Sequence, residues 1–176
     1  MLISLLQKRR SIRKFQDKKV EAEKIDTLIE AALRSPSGAA KYPWEFVVVT
    51  EKDILEKLSQ AKEHGSALIK DAPLGIVVCA DPAKQDIWVE DAAIASTIIH
   101  LTATDLGLGS CWIQIRERKH KGDKSAESYI SEVLGLPENL KVLSMVAIGY
   151  PAEDKPAHAK EKLQYDRVHR NRFGKK

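Results

Sequence analysis

Two cysteines in 176 residues, Cys79 and Cys111, are too few and too far apart for a disulfide framework or a cysteine metal cluster. Each lies in an apolar run, GIVVCA or GSCWI, so free buried thiols are expected. Aromatic residues make up only 6% of the chain and are not interleaved with the basic ones, which disfavours a base-stacking nucleic-acid platform. No stretch approaches the roughly 20 apolar residues that a membrane helix needs, and the opening MLISLL is too short for a secretory leader, so the expected location is cytoplasmic. Also missing are GxGxxG after the first strand, GxxxxGK[ST], HExxH and GxSxG, which lowers the case for a Rossmann enzyme, a nucleoside triphosphatase, a zinc protease and a serine hydrolase. The five histidines show no ligand spacing, so no metal site is expected.

What remains is a globular composition, 43% hydrophobic and 31% charged, of a length that fits a single domain. The formal net charge of +4 suits an anionic ligand as well as it suits a nucleic acid. Apolar spacing predicts helices over residues 3–8, 21–34, 52–62 and 85–106, and another from Ser125 to the Gly135-Leu136-Pro137 stop. The 85–106 pattern is apolar around most of its circumference, which places that helix near the middle of the fold. Within it, His100 reads as a hydrogen-bonded core residue. Strands are expected at 45–50, 75–80, 110–115 and 140–150, the first a continuous apolar run of the kind covered on both faces. Four strands in this order do not dictate a parallel sheet, so the class is mixed α and β. Residues after 151 have little apolar content and no period, and cannot form a core of their own.

Three segments carry chemistry. Arg9, Arg10, Ser11 and Arg13 set three guanidiniums around one hydroxyl at the end of a short helix. Such a group fits either a plain basic face or a phosphomonoester, whose charge takes hydrogen bonds from Arg and Ser together. The turn Ser35-Pro36-Ser37-Gly38-Ala39-Ala40-Lys41-Tyr42-Pro43-Trp44 has small side chains and exposed amides that can approach a flat ring. The run from Gly107 to Ile115 (GLGSCWIQI) caps the long helix, with Cys111 and Trp112 free to pack inside. The charged loop 116–123 reads as a solvated connection.

Taken in order, RRSIRKF, SPSGAAKYPW, DAAIA with LGLGSCWI, and AIGYP resemble the landmarks of the nitroreductase family over nearly the whole chain. The resemblance implies an α+β fold with a central, mostly antiparallel sheet flanked by helices, one domain over 1–176, in an intertwined homodimer. It implies that residues from about 151 to 176 pack on the partner subunit, and that FMN binds at the subunit interface with NADH or NADPH as reductant. Carried over by position, Arg9 and Ser11 would hold ribityl and phosphate oxygens, Arg10 belongs to the same motif, and Arg13 would lie near the pyrimidine edge. Pro36, Ser37 and Gly38 would come from the other subunit, Gln114 and Ile115 would approach flavin N5, and Lys162 with Lys160 would meet the phosphate. The family's turn commonly carries Asn and Gln where this chain has Ala40 and Tyr42.

The function so implied is hydride transfer from NAD(P)H through flavin N5 to an acceptor such as a nitroaromatic or a quinone, with no acid–base triad because the cofactor carries the chemistry. A non-catalytic flavin sensor or carrier is the alternative that the changed turn residues leave open. No nucleic-acid or membrane partner is expected.

Overall fold

The computed structural model describes residues 1–175. Five α-helices and four strands follow one another as α1 (Leu2–Lys8), α2 (Ala22–Leu33), β1 (Trp44–Val49), α3 (Lys52–Ser59), β2 (Leu74–Ala80), α4 (Trp88–Asp105), β3 (Gly109–Gln114), α5 (Ala126–Leu134) and β4 (Lys141–Gly149). The strands form one sheet in the order β1-β2-β4-β3, and every neighbouring pair is antiparallel. The fold is therefore α+β, as the resemblance implied.

Alternation along the strands builds two apolar layers. Leu74, Ile76, Val78 and Ala80 of β2 join Leu28 and Ala32 of α2 and Ala92, Ile99 and Ala103 of α4 on one face. Val77 and Cys79 turn the other way, to Leu55 and Leu58 of α3 and Ala126 and Ile130 of α5. This explains why β2 is buried at every position. The same expectation for β1 does not hold: it is the edge strand, bonded only to β2, with Glu45 exposed and residues 46–48 half-buried. An apolar run fixes the strand but not its place in the sheet. Both cysteines are free and buried. Burial pushes the Cys79 thiol up to about 12, which disfavours the thiolate.

Helix ends follow local chemistry. Ser125 caps α5 by accepting the Ser128 N–H at 3.0 Å, and Gly135 ends it in the left-handed region at φ 64°.

The segment before α2 positions the site. Ser11 bridges Ser110 in parallel, the Ile12 N–H donates to the Ser110 carbonyl at 3.0 Å, and Phe15 bridges Pro151. Gly109 permits this approach, since a Cβ there would sit 2.8 Å from Ile12 Cγ2. Among the described residues beyond Pro151 the helical elements are two short 3₁₀ turns, Lys160–Lys162 and Tyr165–Arg167.

Candidate functional site

The basic cluster fans out from the open edge of β3 and is not a single fist of guanidiniums. Arg9, half-buried, donates from Nη1 to His100 Nε2 at 2.9 Å. Arg10 donates to the Pro156 carbonyl. Arg13, exposed, reaches the Ser11 carbonyl at 3.4 Å. None of the three forms an ion pair among the described residues.

His100 is buried on α4, at 8% exposure, and its Nδ1 meets the Ser110 hydroxyl. A guanidinium can only donate, so Nε2 is the acceptor and the proton sits on Nδ1, which donates to Ser110 Oγ. Burial first, and then the Arg9 charge, lower the His100 pKa from 6.5 to about 4, so the ring is neutral at ordinary pH.

Arg9, His100 and Trp112 line a cavity of about 370 Å³ with Leu6, Ser96 and Thr97. A larger cleft of about 720 Å³ opens beside Arg13, with Lys14, Lys19, Lys52 and Lys70 on its walls. Both volumes lie in the range of small-molecule sites. Trp112 is 40% exposed, against the expectation that it packs inside, because the β3 alternation that buries Cys111, Ile113 and Ile115 turns Trp112 outward.

Gln114 is half-buried and its side chain donates to the Arg116 carbonyl at 2.8 Å. Ile115 is fully buried and its N–H donates to the Leu143 carbonyl at 3.0 Å. In an antiparallel pair the backbone groups alternate inward and outward, so Gln114 and Trp112 present theirs on the outer edge of β3, where the Ser110 carbonyl already takes Ile12. Of the two residues expected near flavin N5, Gln114 is the one whose backbone N–H is directed to that open edge; the Ile115 N–H is already engaged.

The late basic residue that joins this cluster is Lys155, which the sequence reading passed over. Its Nζ donates to the Ser11 carbonyl at 2.9 Å and pairs with Glu153 at 3.0 Å. The Glu153 carboxyl also accepts the Arg13 N–H at 2.6 Å, and the Arg13 amide followed by Lys155 holds its pKa below the usual carboxylate value. Lys160 and Lys162, the residues expected at a phosphate, are exposed in their 3₁₀ turn and are not brought to Arg9 or Ser11 within this chain.

Pro36, Ser37 and Gly38 lie at the opposite end of α4. The Gly38 N–H donates to Asp91 Oδ1 at 2.9 Å and its carbonyl accepts Gln85 Nε2 at 2.8 Å, while Ser37 Oγ accepts the Tyr42 N–H at 2.9 Å. A Cβ on Gly38 would fall 2.5 Å from Ile87 Cδ1, so a larger residue here would displace the ends of the Ile87 and Gln85 side chains. Ala39, Ala40 and Tyr42 all adopt left-handed φ, at 49°, 54° and 48°. Strain of this kind persists where surrounding contacts hold it, and here Asp91, 2% exposed, is the anchor.

The donor set at the β3 edge, two arginines without ion pairs, a serine and a lysine, suits a phosphorylated ligand, and the exposed tryptophan and outward backbone of β3 suit a flat ring. Among the described residues no cluster could hold a metal ion and no helix is long and apolar enough to cross a membrane.

The profile of the Nitroreductase family matches residues 6–65 and 59–150. A solved structure of an FMN-dependent nitroreductase from Clostridium difficile R20291 is 46% identical, with 97% of this chain and 99% of that chain covered at a TM-score of 0.96. A relative in Archaeoglobus fulgidus, 35% identical over 97% of this chain and 98% of its own, carries the provisional name NADH dehydrogenase/NAD(P)H nitroreductase. An NADPH:FMN oxidoreductase from Vibrio harveyi, solved with NAD+, is 25% identical at a TM-score of 0.81, covering 98% of this chain and 77% of that one.

Proposed function

The chain belongs to the nitroreductase family, and for an FMN-dependent oxidoreductase driven by NADH or NADPH we propose that the electrons pass to a small planar acceptor such as a nitroaromatic or a quinone. The observation that carries this reading is the open edge of β3, where Arg9, Ser11, Arg13 and Lys155 gather cationic and polar groups beside an outward backbone at Gln114 and a half-exposed Trp112.

The chemistry supplied by bound FMN is two-electron transfer at its N5. Arg9 and Ser11 would hold its phosphate and ribityl oxygens, Arg10 and Lys155 would add positive charge behind them, and Arg13 would place a cation at the pyrimidine edge. A cation there favours the extra negative charge of the reduced state. The outward Gln114 N–H would be the donor to N5. One open face serving reductant and acceptor in turn gives ping-pong kinetics.

The second half of the site would come from a second copy of the chain. Pro36, Ser37 and Gly38 do not line the cavity at Arg9, and Lys160 and Lys162 are exposed in the segment after Pro151. Tail residues Leu163, Tyr165, Val168 and Phe173 are exposed although apolar. A homodimer in which each tail packs on its partner would cover them and bring the turn and the late lysines to the flavin.

The test is direct. Purified protein is expected to be yellow and to oxidise NADH or NADPH when a nitroaromatic is added; a colourless protein that takes up no FMN refutes the reading. Arg13→Ala is expected to retain flavin less well and to be reduced more slowly, and unchanged behaviour would remove Arg13 from the site.

A further inference from the structure

We propose that His100 is a positioning residue that holds Arg9 ready for the cofactor phosphate, an inference that rests on the reading of Arg9 given above. Three residues distant in sequence meet here. Arg9 follows α1, His100 lies on α4 and Ser110 is the second residue of β3, and the chain Arg9 Nη1 to His100 Nε2 to Ser110 Oγ ties them together. Ser110 also grips the other half of the motif, because its carbonyl accepts the Ile12 N–H and it bridges Ser11. One strand residue thus fixes both Ser11, through the backbone, and Arg9, through the ring.

The choice of partner matters. A carboxylate would hold the guanidinium more strongly, but it would cancel the charge that the phosphate needs. A neutral imidazole accepts one N–H and leaves the full positive charge and the remaining N–H donors of Arg9 for an anion. The fixed tautomer ensures this, since Ser110 takes the Nδ1 proton and Nε2 keeps its lone pair for Arg9. The ring is buried and cannot swing away to water. Arg9 therefore loses its rotamer freedom when the protein folds, and little of that cost remains when the ligand binds.

The experiment measures dissociation constants of FMN and of riboflavin, which lacks the phosphate, for the full chain after its flavin is removed and for His100→Leu, His100→Gln, Arg9→Ala, Ser110→Ala and the Arg9→Ala/His100→Leu pair treated alike. His100→Leu is expected to weaken FMN by about ten-fold, the order of one immobilised long side chain, and riboflavin by less than about two-fold. His100→Gln, whose Oε1 can still accept from Arg9, is expected to recover most of the FMN affinity. The double variant is expected to bind FMN no more weakly than Arg9→Ala alone. Ser110→Ala, which frees the ring but leaves the β3 backbone, is expected to lower the preference for FMN over riboflavin several-fold.

Equal losses of FMN and riboflavin in His100→Leu, or losses that add fully to those of Arg9→Ala, would show that His100 only packs. If His100→Leu does not fold, an unchanged FMN preference in Ser110→Ala overturns the proposal by itself. An Arg9→Ala protein that retains FMN as the wild type does would instead overturn the placement of Arg9 at the phosphate, a failure distinct from that of His100.

Discussion

Acidification is expected to weaken the fold through His100 before most carboxylates respond. The perturbation is a fall in pH from 7 to 4. In the folded protein the ring refuses a proton until about pH 4, whereas in the unfolded chain it takes one near its ordinary value of 6.5. A depressed histidine pKa contributes full stability above 6.5 and loses it as pH falls towards 4, because the unfolded state binds the extra proton. Over that interval the loss is about 1.4 kcal/mol per pH unit, or about 3 kcal/mol in all. The physical cost is plain in the geometry: a second proton on Nε2 would set donor against donor at 2.9 Å from Arg9. Urea melts of the wild type and His100→Gln at fixed protein and FMN concentration, taken at half-unit steps, measure it. The wild-type advantage should shrink by about 3 kcal/mol between pH 7 and 4. Glu21, Asp81 and Glu153, all held below their ordinary values, titrate in both proteins and cancel in the difference. Parallel stability curves for the two proteins would refute the neutral, buried histidine.

Three further outcomes follow from local geometry. Gly109→Ala drives a Cβ to 2.8 Å from the branched side chain of Ile12, which cannot swing aside. It should cost about 1–3 kcal/mol in a denaturant melt and lower the flavin-to-protein absorbance ratio by shifting Ser11; a neutral result would mean that the 11–16 segment is not clamped. Ala40→Asn places a residue tolerant of left-handed φ where alanine sits at 54°, and should stabilise by about 0.5–1 kcal/mol, read as a raised midpoint of unfolding. Ser125→Ala removes the oxygen that caps α5 and should cost about 1 kcal/mol in the same assay, with flavin binding unchanged because the cap is remote from Arg9.

Much of the architecture could be read from the chain because burial there is written in spacing. The all-round apolar pattern of residues 85–106 became α4, which packs against sheet and α2 together, and the uninterrupted GIVVCA became the doubly covered β2. EFVVV was equally apolar, yet β1 lies at the edge, because sheet order depends on pairings that no local run encodes. The candidate site divides the same way. Arg9, Ser11 and Arg13 could be picked out because three cations around a hydroxyl are unusual, and Gly38 because a glycine in a tight turn is informative. Lys155 could not, since its place at Ser11 depends on the chain returning past β4, and one lysine among many carries no mark. His100 was legible as a core residue but not as the partner of Arg9, 91 positions away.

The length of α4 bears on whether one copy of the chain can complete its own site. Asp91 anchors the Gly38 turn near one end and His100 anchors Arg9 near the other, nine residues or about 13–14 Å along the axis. The helix holds these two anchors apart, so in this structure the turn does not lie over the arginine cluster. Meanwhile the outer edge of β1 has no strand partner among the described residues, and Phe173 is 92% exposed alongside Leu163, Tyr165 and Val168. Isolated apolar residues are ordinary, but a tail that carries four of them beside two unengaged lysines has the composition of an interface. In the homodimer proposed above, a second copy would satisfy both conditions at once by covering the tail and supplying the turn. Cofactor retention should then depend on protein concentration, a coupling absent from a site completed within one chain.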